Sequence, residues 1–539
     1  MSAANSNPSP SSANGHSTTG EGAAAAERTG STTTTQPGVI SQDRLRRSPL
    51  RTVIAGTIGS IFLFVGSLGV GWLAAVSEIR QNPVVIALRF TTPGAIVSII
   101  LVALGGMLLV REWLRLGQKL NHWGPDTRKW INAAMIAWSL PMMVAIPMFS
   151  RDIYSYIGQG RVMQSGLNPY EYGVSYIENF FQLGADQLWS ESPPPYGPLF
   201  LWMEQGVVAI TDAQPDQSVL LFRALCVISV IAMAWMVPKL ARMHGINPTR
   251  ALWLSIANPL FLVNFILAAH NDAIMIALAL GGVLAAATWR DWRGGLLGAF
   301  LVTMSVAIKP ITLVFLPFIG LLWAGKGASW PRKFLIWFLT LLWSVAIMAV
   351  MGLVSDFGFG WVSAMSTPGS VFIWYAPVGM LGVLASVLVG LVGGNGGTAM
   401  DLVHSIGQLL AVPVILYMMF VGRDERIIRR LTLAFAAIVV FAPMIQAWYV
   451  VWLIPLFAVT GIRSDWQVDV LFFLTAFFMI YAVSDQIDVF PYLDIDLSSG
   501  RTIAAVIAIA YGAYLWFLDP ATRRLFRGKY RHTLQSTVI

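Results

Sequence analysis

Charge is scarce in this chain: of 539 residues, 12% are Asp, Glu, Lys or Arg and 56% are hydrophobic. That balance, with repeated apolar runs near the length that crosses a bilayer, makes it a polytopic membrane protein rather than a soluble one. Cysteine is scarcer still. The single Cys226 lies in an apolar run, which excludes a disulfide framework or a cysteine-based metal site within one chain and leaves it a packing role. There is no Walker loop, dinucleotide fingerprint, HExxH or Cys/His zinc spacing, so ATP-driven transport and zinc hydrolysis lose support and no cofactor is expected. Nor is there a basic soluble domain behind the 35 Lys and Arg against 27 Asp and Glu. The excess fits cytoplasmic helix ends and not nucleic-acid binding.

What is present is long apolar runs punctuated by charge. Residues 1–42 are rich in Ser, Thr, Ala and Gly without apolar periodicity or a signal-peptide core, and are expected to form a disordered cytoplasmic tail. Helices must satisfy their own backbone hydrogen bonds in lipid, so the fold expected over 43–520 is all-α. Basic loops fix its orientation. "RLRRSPLR" precedes the first run, and 111–129 holds five Lys and Arg against two acids, so both read as cytoplasmic. The next run then delivers residues 149–197, with two arginines and five acids, to the outer face. Continued along the chain, this reasoning gives about fourteen crossings, both termini cytoplasmic, and a basic C-terminal tail at 521–539. The run 198–210 carries Glu204 midway and reads as an external juxtamembrane helix, since a crossing there would put a carboxylate in hydrocarbon. The apolar piece at 376–392 reads as a half-helix.

The outer loop opens on "SRDIYSYIGQGRVMQSGLNPYEYG", with Arg151 beside Asp152. A carboxylate near water but against a low-dielectric wall can take a proton from a hydroxyl; it can equally cap a helix or pair with Arg151. "SPPPYGP", "HND" (270–272), "IKP" (308–310) and "QAWYVVW" (446–452) fall on the same expected side. A carboxylate base, cations for a phosphate and aromatic platforms are what sugar transfer from a lipid phosphate requires. Taken singly, Lys309 also fits a snorkelling lysine, His270 a helix-end residue, and Trp448, Tyr449 and Trp452 an interfacial belt. The Asp-x-Asp at 494–496 reads as a solvated acidic loop, not a nucleotide-sugar motif.

These segments, with "NPLFLVNFILAAHNDAIMIALAL" and "VAIKPITLVFLPF", resemble the actinobacterial polyprenyl-phosphomannose-dependent α-1,6-mannopyranosyltransferases of the lipomannan and lipoarabinomannan backbone. "GSIFLFVGSLGVGWL" points to their MptB-type branch. The resemblance implies a GT-C fold, a plasma-membrane location, an extracytoplasmic active site, a polyprenyl-phosphomannose donor and a mannosylated glycolipid acceptor. By position, Asp152 resembles the catalytic base, Arg151 its flanking partner and Asp272 a second external acid. Arg151, His270, Asp272 and Lys309 are placed at the donor phosphate. Tyr154, Tyr170, Tyr196, Trp374, Tyr375, Trp448 and Tyr449 are candidates to stack on sugar rings. The rival reading is a transporter or flippase of a lipid-linked envelope sugar, in which Asp152 couples to ions; no obvious internal repeat supports it.

Overall fold

The computed structural model describes residues 49–119, 125–365, 372–373, 375–463 and 466–526, with no strand among them. The expected tail at 1–42, residues 527–539 of the C-terminal tail and Trp374 lie outside the described residues. The longer helices are α1 (Leu50–Val70), α2 (Thr92–Lys119), α3 (Pro125–Val144), α4 (Asp152–Gln164), α5 (Pro198–Thr211), α6 (Pro215–Met243), α7 (Asp272–Trp289) and α8 (Trp292–Ile308). They continue with α9 (Trp330–Val354), α10 (Pro377–Leu391), α11 (Gly396–Phe420), α12 (Ile427–Val440), α13 (Ala447–Thr460), α14 (Trp466–Asp485) and α15 (Leu497–Ala513). This is an all-α polytopic membrane protein.

Among the described residues, eight helices are long and apolar enough to cross a bilayer, or nine if the pair Pro248–Leu254 and Pro259–Leu267, bent by 62°, is one span. The expected fourteen are not reached on length. Helices α12 and α13 have 14 residues each, about 21 Å at 1.5 Å per residue, against roughly 30 Å of hydrocarbon. Several of the short helices meet at polar breaks. Lys309 lies where α8 ends and the apolar helix Pro310–Ala324 begins, and Gln446 is the N-cap of α13 just beyond α12. The breaks at Lys309 and at Met444 and Gln446 line the cavities described below.

Close helix packing relies on small residues where side chains would keep backbones apart. A Cβ on Gly59 would meet Gly105 O at 2.9 Å, tying α1 to α2, and one on Gly282 would meet Gly298 O at 2.7 Å, tying α7 to α8. The two ends of the bundle differ in charge. At one end Arg111 Nε donates to Asp519 Oδ2 at 2.9 Å, Gln118 Nε2 to Ala521 O at 2.8 Å, and Gly327 N to Asp424 Oδ2 at 2.8 Å. The basic segments gather there. At the other, Trp72 N donates to Pro147 O at 2.7 Å and Phe149 N to Gln486 O at 3.2 Å, bringing the ends of α1, α3 and α14 around the start of α4. The expected juxtamembrane helix is α5, packed on α4. Its Glu204 is 0% exposed with neither carboxyl oxygen hydrogen-bonded within the protein, and burial pushes its carboxyl well above the ordinary value. Asp494 and Asp496 serve as contacts of the bundle: Asp496 caps α15 through Ser499 N, and Asp494 accepts from Thr92 Oγ1.

Candidate active site

Asp152 is the first residue of α4, where the helix dipole favours a negative charge. Its backbone N–H donates to Ser150 Oγ at 3.0 Å. Upstream, Phe149 has φ 70°, left-handed for a non-glycine residue, and Ala269, just before His270, has φ 55°. Strained turns of this kind persist only where the surroundings dictate them. Arg223, buried in α6, braces the chain leading into both. It donates to Met143 O and Ala145 O at the end of α3, and to Ile266 O and Leu267 O in the turn before His270, at 2.8–3.0 Å. One guanidinium thus satisfies carbonyls in the segments that lead into both turns, tying the chain before Asp152 to the chain before His270.

His270 Nδ1 lies 3.3 Å from Asp152 Oδ2, and its ring stacks on Trp448 with centroids 4.0 Å apart. Next to it, Asp272 Oδ1 accepts from Lys309 Nζ at 2.9 Å and from Trp452 Nε1 at 2.8 Å. The Lys309 ammonium also faces the rings of Trp452, Tyr196 and Tyr449 at 5.4, 5.7 and 5.9 Å. The "SPPPYGP" loop is pinned beside it: Gly197 N donates to Ile308 O at 3.0 Å, and a Cβ there would meet Ala307 O at 2.5 Å.

Two cavities meet at this cluster. The polar one, about 90 Å³, is lined by Asp152, Ser155, Gln159, Tyr196, Trp448 and Gln446 among others; the apolar one, about 220 Å³, by Ile311, Gln408, Ala411, Ile438 and Val439 among others. Pro195, Lys309, Met444 and Tyr449 line both. Gln408 and Ala411 belong to α11, whose apolar window is only 11% buried, so the apolar cavity has a lipid-facing helix as one wall.

Burial pushes the Asp152 carboxyl up, but the His270 ring and, from further off, the Lys309 ammonium outweigh it, holding the group below the ordinary carboxylate value. The side chain remains 25% exposed, so it is ionised and open to the cavity. Exchanging His270 for Gln is expected to move the acidic limb of the pH–rate profile upward, because burial then acts with less opposition. An unchanged limb over a pH series of initial rates would show that the ring does not set the carboxylate.

Of the residues expected at the site, Asp152, His270, Asp272, Lys309, Tyr196, Trp448 and Tyr449 come together. Two of these are fully buried: His270 and Asp272 are both 0% exposed and contact Asp152 and Lys309 respectively. Arg151 turns away from Asp152, its Nε donating to Gly184 O at 2.8 Å and its guanidinium lying over Trp72 and Phe181. Tyr154 points into the core, with its hydroxyl donating to Trp72 O. Tyr170 donates to Tyr196 O, supporting the loop from behind, and Tyr375 sits among Phe477, Phe478 and Tyr481 away from the cavity. Sequence reasoning missed Ser155, Gln159 and Arg223. An arginine inside the apolar run "SVLLFRALCV" is the signal that could have found Arg223, since intramembrane charges mark functional sites.

Residues 53–325 match the family described as Alpha-(1->6)-mannopyranosyltransferase, N-terminal domain, and residues 375–514 match the MptB C-terminal domain. A protein of Mycolicibacterium smegmatis named as a probable alpha-(1->6)-mannopyranosyltransferase is 29% identical, covering 86% of this chain and 89% of its own. Two from Mycobacterium tuberculosis, an alpha-(1->6)-mannopyranosyltransferase and alpha-(1->6)-mannopyranosyltransferase A, are 27% and 28% identical, covering 86% and 74% of this chain and 88% and 78% of their own. No solved structure matches. With the first match alone taking in half of the residues, the chain is a member of the MptA/MptB family of alpha-(1->6)-mannopyranosyltransferases.

Proposed function

We propose that the protein is an inverting α-1,6-mannosyltransferase that moves mannose from polyprenyl-phosphomannose to a mannosylated glycolipid, the mannan core of lipomannan and lipoarabinomannan. One observation carries this reading: a cavity holding an ionised carboxylate meets, at a lysine, an apolar cavity walled by a lipid-facing helix. A sugar on a lipid phosphate has the same three-part chemistry in the same order. The prenyl chain lies along α11 and α12, the phosphate at Lys309, and the mannose in the polar cavity against Tyr196, Trp448 and Tyr449. Asp272 occupies one of the ammonium's three protons, which leaves two for phosphate oxygens.

In the reaction the acceptor hydroxyl oxygen bonds to the anomeric carbon as the bond from that carbon to the phosphate oxygen breaks. The hydroxyl proton passes to Asp152, and polyprenyl phosphate leaves with the bonding electron pair. Asp152 acts as general base, and Lys309 opposes charge growing on the leaving oxygen. Basic segments at the opposite end of the bundle, with the positive-inside tendency, support a site on the extracytoplasmic face of the plasma membrane. Purified protein given radiolabelled polyprenyl-phosphomannose and short α-1,6-mannosides is expected to return a lengthened mannoside with inverted anomeric configuration. Uptake of the lipid-linked sugar into the opposite leaflet of vesicles, without transfer, would replace this reading with a transporter.

A further inference from the structure

The face of α4 that presents Asp152 carries two more polar side chains into the same cavity. Ser155 and Gln159 follow at three and seven residues, the spacing that aligns side chains in one row along a helix, and both line the polar cavity. Gln159 is only 7% exposed, and its Oε1 has no hydrogen-bond partner within the protein. Interiors rarely leave a buried amide oxygen unpaired, and the residue that carries this one lines the cavity. The same cavity is also lined by Trp189, Ser192 and Tyr196. An amide and a hydroxyl in one cavity with aromatic side chains is the set of groups that binds a polyol ring.

Which sugar it binds follows from position. The donor enters from the apolar cavity past Lys309, Pro195 and Tyr449, whereas Ser155, Gln159, Trp189 and Ser192 line the polar cavity alone. The row therefore lies, with Asp152, on the side of the Lys309 junction away from the apolar cavity. Along the helix Gln159 stands roughly 10 Å beyond Asp152, shortened because helical side chains lean back toward the N-terminus. That distance fits one hexose ring together with its linkage oxygen.

We propose that Ser155 and Gln159 form the acceptor subsite, hydrogen-bonding the terminal mannoside ring so that its free primary hydroxyl sits at Asp152. The assignment rests on the reading of Asp152 as the base. Full-length Gln159→Met, a near-isosteric loss of the amide, and Ser155→Ala are compared with the parent protein using polyprenyl-phosphomannose and a short α-1,6-mannoside. Each variant is expected to raise the apparent KM for the mannoside roughly 3- to 10-fold, the worth of a neutral hydrogen bond, with the KM for the donor unchanged. A raised donor KM, or an acceptor KM unmoved in both variants, overturns the subsite. Should Gln159→Met fail to fold, Ser155→Ala decides alone. Binding of the mannoside without donor, followed by the fluorescence of the cavity tryptophans, separates this inference from the function it rests on. Binding that weakens in the variants supports the subsite even where no transfer occurs, and absence of binding to the parent protein overturns it.

Discussion

Asp152→Asn is expected to lower the rate of mannosyl transfer by roughly 10²- to 10⁴-fold, the span attributed to a positioned general base. The exchange is nearly isosteric, and the backbone N–H that donates to Ser150 Oγ is untouched, so the turn carrying the residue stays in place. What is lost is the ability to take a proton at the moment the new bond forms. A fall of this size corresponds to about 3–5 kcal/mol of transition-state stabilisation, at 1.36 kcal/mol per decade. The amide still occupies the cavity between Ser155 and the His270 ring, so both substrates are expected to bind with little change in KM. The loss then falls on kcat. Initial-rate measurements on the purified variant, with its thermal unfolding midpoint confirming the fold, check this. Transfer at near-parental rate would remove Asp152 from the chemistry and send the search to another acceptor of the proton.

How much of this was legible beforehand depends on what a linear sequence can carry. The all-α polytopic fold was, because it follows from run length and charge alone. The gathering of Asp152, His270, Asp272, Lys309 and Trp448 was also legible, since counting crossings puts their segments at one end of the bundle. Rotation about a helix axis was not. Helix α4 is buried on nearly every face, so no amphipathic pattern shows that Asp152, Ser155 and Gln159 line the cavity while Tyr154 faces Trp72. The pairing of Lys309 with Asp272 joins residues 37 apart, and the Trp452 contact spans 180. Both are facts of packing that no local spacing encodes. Hydropathy also registers that α8, α12 and α13 are apolar but not that they end beside the cavities, so the fourteen crossings read from charge are not matched by helix length. Arg223 was visible as a charge in an apolar run; its role, bracing two strained turns through four carbonyls, required the coordinates.

The buried pair allows structure and function to be separated at Lys309. Lys309→Met keeps the length of the side chain, removes the ammonium and leaves Asp272 buried without its cation. Removing one partner of a buried ion pair costs about 3–5 kcal/mol, so the single variant is expected to melt well below the parent and to lose donor affinity at once. Asp272→Asn in the same chain removes the stranded charge while its Oδ1 still accepts from Trp452 Nε1. The Lys309→Met/Asp272→Asn double variant is therefore expected to recover most of the unfolding midpoint. Donor affinity is expected to stay low, its apparent KM roughly 10- to 150-fold above the parent, the worth of a charge-assisted hydrogen bond of about 1.5–3 kcal/mol. The mannoside KM should change little, because Lys309 lies on the lipid side of Asp152. A double variant that regains both its melting temperature and the parental donor KM would make Lys309 a structural partner of Asp272 and nothing more. Recovery of the melting temperature without the donor KM supports a donor phosphate at the junction of the two cavities.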